Sequence, residues 1–185
     1  MTDYSACRAW RNMDVARKHR PVRRNSRQAP EWRNRSAKTT SCKELVAVPD
    51  ISTEEAQRVL SAGVRTAAEM ALPVNIAVFD TGANLKTFVR MDGALLGSAD
   101  IAMAKARTSA LFQLDSEALF EYCKPGGTSF GLENSNGGLV VFAGGKPIRN
   151  AEGVVVGAVG VSGGSVAQDA EIAQAAAVAL AAAPA

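Results

Sequence analysis

Histidine is almost missing from this chain: His19 is the only one in 185 residues. Residues 51–185 therefore hold no Ser-His-Asp triad and no His-containing zinc site. Cysteine is nearly as scarce. Cys7, Cys42 and Cys123 follow no C-x-x-C spacing, and two of them lie in the first 50 residues. Neither a metal site nor a disulfide framework is implied. No run approaches the roughly 20 apolar residues of a membrane span, and the Ala-rich stretch from Ala173 to Ala183 is too short and too weakly apolar. The N-terminal segment lacks the apolar run of a secretory signal. Its arginines suit an organelle transit peptide, but Asp3, Asp14 and Glu31 speak against one. The expectation is a cytoplasmic protein with no membrane partner.

What is present divides into two unlike parts. Residues 1–50 carry 12 Lys/Arg against 5 Asp/Glu, a net of +7, whereas residues 51–185 carry 9 against 13, a net of −4. In the first part Trp10 and Trp32 stand isolated among arginines. Such a segment buries too little apolar surface to offset the entropy of ordering it, so a disordered basic tail is expected over 1–50. Its arginines at 20, 23, 24 and 27 come without interleaved aromatics, so a solvated extension is the expectation and nucleic-acid binding is not. Residues 51–185 are rich in Ala, Val, Leu and Gly and form the one folded domain.

Ser52 and Glu55 have the S-x-x-E spacing of a capping box. Ala56, Val59, Leu60, Gly63, Val64, Ala67 and Ala71 follow with helical i, i+3, i+4 periodicity, and Pro73 ends the run. Val74 to Asp80 and Leu85 to Met91, separated by Thr81-Gly82-Ala83-Asn84, predict an antiparallel hairpin. Ser98 is placed to cap a helix of small residues reaching about Gln113, and Asp115 to Tyr122 predicts a further short helix. Residues 124–138 predict a long Gly-rich loop. After it, Leu139 to Ala143 predicts a strand, Gly144-Gly145 a turn, Lys146 to Arg149 a short return, and Val154 to Val161 the most apolar strand. Ser165 and Gln168 repeat the capping box and open the last helix. The order is α-β-β-α-(α)-β-β-α. It predicts an α/β (α+β) domain with a central, mainly antiparallel sheet and helices packed against it.

These segments also carry a resemblance. Ala77-Val-Phe-Asp80-Thr-Gly82 and Phe88-Val-Arg90-Met-Asp92-Gly93 resemble the opening hairpin of the GlcG/HbpS, or haem-degrading, family. Ile101 to Ala106, Phe142 to Ile148, Gly157 to Gly164 and Gln168-Asp169 continue the match in the family's order, over about residues 51–180. The resemblance implies an α/β domain that assembles into dimers or larger rings and takes haem or another small ligand. Since the family is functionally mixed, including lyases of small aromatics, fold alone does not choose among these uses.

Candidate site residues follow from the matched positions. Asp80 and Arg90 end the two hairpin strands and are read as facing one another or a pocket; Arg90 offers a planar fork for a carboxylate, a haem propionate included. Asp92 lies beside it, and the alternative reading is a structural ion pair of Arg90 with Asp80 or Asp92. Lys105, on a helix of small residues, becomes a base if desolvated; the alternative is a solvated lysine with no such role. Ser162, Gly163, Gly164 and Ser165 join a strand to a helix start, which makes either a tight turn with a cap or a seat for a ligand carboxylate. For haem iron, usually held by His, Cys, Met or Tyr, the axial candidates are Tyr122 and Cys123, beside the Gly-rich loop. Met91 and Met103 are read as core fillers. The leading expectation is a homo-oligomer, dimer or larger ring, that binds a small anionic ligand, with haem one candidate, between Arg90, Lys105 and the 162–165 turn. The alternative is a cofactor-independent lyase or isomerase of a small aromatic acid such as a hydroxylaminobenzoate. There Arg90 holds the carboxylate, Asp80 or Lys105 moves a proton, and Ser162 with the Gly163 N–H stabilises developing negative charge.

Overall fold

Both capping boxes form, and they fix where the first and last helices begin. A computed structural model describes residues 49–181; the expected tail, with His19, Cys7 and Cys42, lies outside them. Ser52 accepts from the Glu55 N–H while Glu55 accepts from the Ser52 N–H, starting α1 (Thr53–Glu69). Ser165 and Gln168 do the same for α4 (Val166–Ala177). α1 closes before Pro73 in a Schellman motif. The N–H of Ala71 donates to Ala68 and that of Leu72 to Ala67, with Ala71 at φ 50°. Alanine stands there where glycine is usual.

Four strands form one sheet: β1 (Asn75–Asp80), β2 (Leu85–Arg90), β3 (Gly145–Arg149) and β4 (Val155–Ser162), in the order β2-β1-β4-β3. All three pairings are antiparallel, as expected. α1 and α4 cover one face, where Val59, Ile76, Val78, Val159, Val161 and Ile172 make the main core. α2 (Ser98–Phe112) covers the other, where Ala77, Phe79, Ala106, Ala110 and Ala158 pack together. The small residues of α2 are what allow this. A side chain at Gly160 of β4 would run into the Ala102 carbonyl and the backbone of Ala106, so helix and sheet touch backbone to backbone. After α2 come a 3₁₀ turn at Ser116–Leu119 and the short α3 (Phe120–Cys123).

Two local expectations are corrected. Leu139 to Ala143 is not a strand, and the strand is the presumed short return, which begins at Gly145. The polar groups of 139–143 are taken by neighbours other than a strand. The Val140 N–H donates to Thr108 Oγ1 on α2, and the Phe142 carbonyl accepts from Ser116 Oγ. Ser98 is likewise the first residue of α2, not its cap; Gly97 occupies the cap without a side-chain bond.

Candidate functional site

The register of the sheet decides which expected residues can meet. Arg90 lies opposite Asn75, and Asn75 lies opposite Ser162, so these three form one row across β2, β1 and β4. Asp80 sits five residues further along β1, beside the hairpin turn, roughly 17 Å away at the usual rise of a strand. Its carboxylate accepts from the backbone N–H of Asn84 at 2.7 Å and from the Asn84 side chain, an arrangement that holds the turn. Asp80 and Arg90 therefore do not face one another, because they occupy opposite ends of the hairpin. The alternative pairing with Asp92 is also not formed. Arg90 and Asp92 are both exposed, and neither makes an ion pair with a described residue.

Lys105 is placed very differently. Its side chain is fully buried, with Nζ donating to Asp169 Oδ2 at 2.7 Å and to the Val161 carbonyl at 2.9 Å. The Phe142 ring lies over it at 4.9 Å from the centroid. Lys105 belongs to α2 and Asp169 to the first turn of α4, helices on opposite faces of the sheet, so the pair ties the two layers together past the sheet's end. Gly144, at φ 117°, makes room: a Cβ there would stand 2.7 Å from Nζ. Burial pushes the Lys105 ammonium below the ordinary lysine range, and the bond to Asp169 offsets part of that effect.

Asp169 also settles what the turn before α4 does. Its Oδ1 accepts the Gly164 N–H at 2.9 Å. The helix-start position that suits a ligand carboxylate is thus filled by the protein's own. Ser165 serves as the cap, Ser162 is buried at the end of β4, and a side chain at Gly163 would meet the Pro73 carbonyl at 2.8 Å. Asp169 was read only as part of the family pattern. Its partnership with Lys105, 64 positions away, has no spacing by which to find it. Asn75 was not singled out either. It is fully buried, its Nδ2 donates to the Leu95 carbonyl at 3.0 Å, and its Oδ1 accepts nothing from the described residues.

The axial candidates separate in the same way. Tyr122 is about half exposed, whereas Cys123 is buried with its thiol against the Phe120 carbonyl. Burial, then the nearby Glu133, raises the Cys123 thiol above its ordinary range, which opposes the thiolate that binds iron. Among the described residues no cluster of three or more His, Cys, Asp or Glu could hold a metal ion. A cavity of about 440 Å³ opens at the other edge of the sheet, by β3, lined by Gln113, Asp115, Lys146, Arg149 and Gln174 among others. None of the expected site residues lines it. No helix among the described residues is long and apolar enough to cross a membrane.

Known proteins share this fold and its sequence. A 15.0 kDa protein of the dhaT-dhaS intergenic region of Citrobacter freundii is 36% identical over 123 residues, covering 66% of this chain and 86% of that protein. The crystal structure of Klebsiella pneumoniae ORFY superposes with a TM-score of 0.71 at 33% identity, over 74% of this chain and 94% of that one. The PduOC:heme complex superposes with a TM-score of 0.66 at 33% identity, over 70% and 94%. The model of the haem-degrading protein HbpS-like family matches residues 51–178. This chain belongs to the HbpS-like family.

Proposed function

We propose that the domain is a binding protein, working as a homo-oligomer, that receives a small carboxylate-bearing ligand at the Arg90 end of the sheet. The observation that carries this reading is the state of the three groups expected to meet an anion. Lys105 is neutralised by Asp169, and the Gly164 N–H is taken by the same carboxylate. Arg90 is exposed and has no carboxylate partner among the described residues. A guanidinium in that state offers a bidentate seat.

The same geometry weighs against the lyase alternative. Its proton carriers were Asp80 and Lys105, but Asp80 lies at the other end of the hairpin and Lys105 is sealed in an ion pair under Phe142. Neither reaches a carboxylate held by Arg90.

Haem is a candidate ligand through the family and through the haem complex of a relative. The described donors fit it poorly. Met91 packs against the main core and Met103 against the α2 core, Cys123 is buried with a raised pKa, and Tyr122 alone is open. The proposal therefore rests on the carboxylate and routes nothing through iron.

The test is titration of benzoate and of haem, separately, into the full chain, Arg90→Gln and Asp80→Asn. Loss of a charge-assisted bond weakens benzoate about tenfold or more in Arg90→Gln, while Asp80→Asn leaves it unchanged. Benzoate binding indifferent to Arg90→Gln overturns the reading. Tight haem binding that falls with Tyr122→Phe would restore iron to the account.

A further inference from the structure

The cavity beside β3 lies diagonally across the sheet from Arg90. Arg90 pairs with Asn75, and Asn75 with Ser162, at one end of the sheet. Arg149 pairs with Val155 at the other end, on the opposite edge strand. The cavity measures about 440 Å³, within the roughly 300–1,000 Å³ of small-molecule sites. Three elements wall it: the C-terminal end of α2, the last turn of α4, and β3.

These walls divide by charge. Arg149 is exposed, its Nη1 donates to the Gly153 carbonyl at 3.0 Å, and it has no carboxylate partner among the described residues. That bond steadies the guanidinium and leaves most of its five N–H groups free. Lys146 lines the cavity too, but Asp115 and Glu117 already meet its charge. The helix ends are of the other sign. The last carbonyls of a helix lack helical partners and carry its negative pole, and neither α2 nor α4 has a basic residue in its last turn. Gln113 and Gln174 line the cavity at these ends, and both are exposed. Pro147 and Ala177 add apolar surface. None of the described lining residues is His, Cys, Met or Tyr, so iron finds no ligand here.

We propose that this cavity is a second ligand site, for a small acid that also carries an N–H donor, as an N-acylated amino acid does. The carboxylate goes to Arg149, the N–H to the carbonyl-rich helix ends and glutamine amides, and the apolar part to Pro147 and Ala177. A dianion such as phosphate suits the cavity less, because Asp115 and two negative helix poles share it with the one open cation. The site stands apart from the one proposed at Arg90. Failure of either leaves the other intact.

The experiment titrates N-benzoylglycine into the isotope-labelled full chain and follows the side-chain amide signals of Gln113 and Gln174 by NMR. Those signals report on this cavity alone, and Gln113→Glu and Gln174→Glu assign them. Both are expected to move together and saturate. Arg149→Gln is expected to weaken binding about tenfold, while Arg90→Gln leaves it unchanged. O-benzoylglycolate, in which an ester oxygen replaces the N–H, is expected to bind the wild type several-fold more weakly. The labelled spectrum also shows whether each variant is folded. Signals unmoved by millimolar N-benzoylglycine would overturn the inference. So would equal affinity for the ester, or affinity kept by a folded Arg149→Gln and lost in Arg90→Gln.

Discussion

Lys105 and Arg90 are both cations of the family pattern, yet their surroundings have nothing in common. Lys105 lies in the interior with one carboxylate, one carbonyl and an aromatic ring around it. Arg90 lies at the end of an edge strand with no carboxylate of its own. The difference teaches that a matched charge is a site only when its charge is left over. A buried pair that is fully satisfied holds the two helical layers in place and has nothing to offer a ligand. Lys146 stands between these extremes. It is half-buried, paired with Asp115 and Glu117, and those partners are more than a third exposed.

Breaking the interior pair should give the largest effect. Lys105→Ala or Asp169→Ala leaves a charge buried alone and is expected to cost about 3–5 kcal/mol in urea unfolding. The double variant Lys105→Met with Asp169→Leu is expected to recover most of that loss, because no charge is then stranded. If the two single changes prove nearly neutral, the interior reading of Lys105 fails. Lys146→Met is the control on the half-buried side. Its partners are screened by water, so about 1 kcal/mol or less is expected from the same measurement.

The two lysines also predict opposite responses to alkali. Burial lowers the Lys105 pKa, so just below the ordinary lysine value the unfolded chain binds more protons than the folded one. Stability from this group therefore rises with pH through that window. For Lys146, burial acts downward, but the bonds to Asp115 and Glu117 outweigh it and the pKa is raised. Its contribution is present below the ordinary value and is lost as pH climbs through the raised one. Unfolding free energies measured from pH 8 upward, with Lys105→Met and Lys146→Met alongside, check both signs. The smallest effect is expected from the tail. Deleting residues 1–48 should shift the melting temperature by no more than a few degrees, since both lysines find their partners within the described residues.

The elements that could be read from sequence were those set by neighbours along the chain. Ser52 with Glu55, and Ser165 with Gln168, need only three residues of spacing, and both form as expected. The sequence favours a strand at 139–143 over 145–149 because Leu139 to Ala143 is wholly apolar while Gly145 to Arg149 holds Lys146 and Arg149. What decides between them is bonding to Thr108 and Ser116, which lies outside the segment. The separation of Asp80 from Arg90 is legible in the hairpin itself. A hairpin turning at 81–84 must leave residue 80 at the turn and residue 90 at the far end. Lys105 with Asp169 could not have been read at all, because α2 and α4 meet only after the sheet between them is built.

The most direct measurement of the account titrates benzoate into two proteins side by side. One is Arg90→Gln, which removes the open cation, and the other is Lys105→Met with Asp169→Leu, which removes the closed pair. The account predicts that the first loses benzoate affinity by about tenfold or more while the second, once shown to be folded, keeps it. Affinity kept by Arg90→Gln and lost with the Lys105–Asp169 pair would contradict it, and would move the site into the interior.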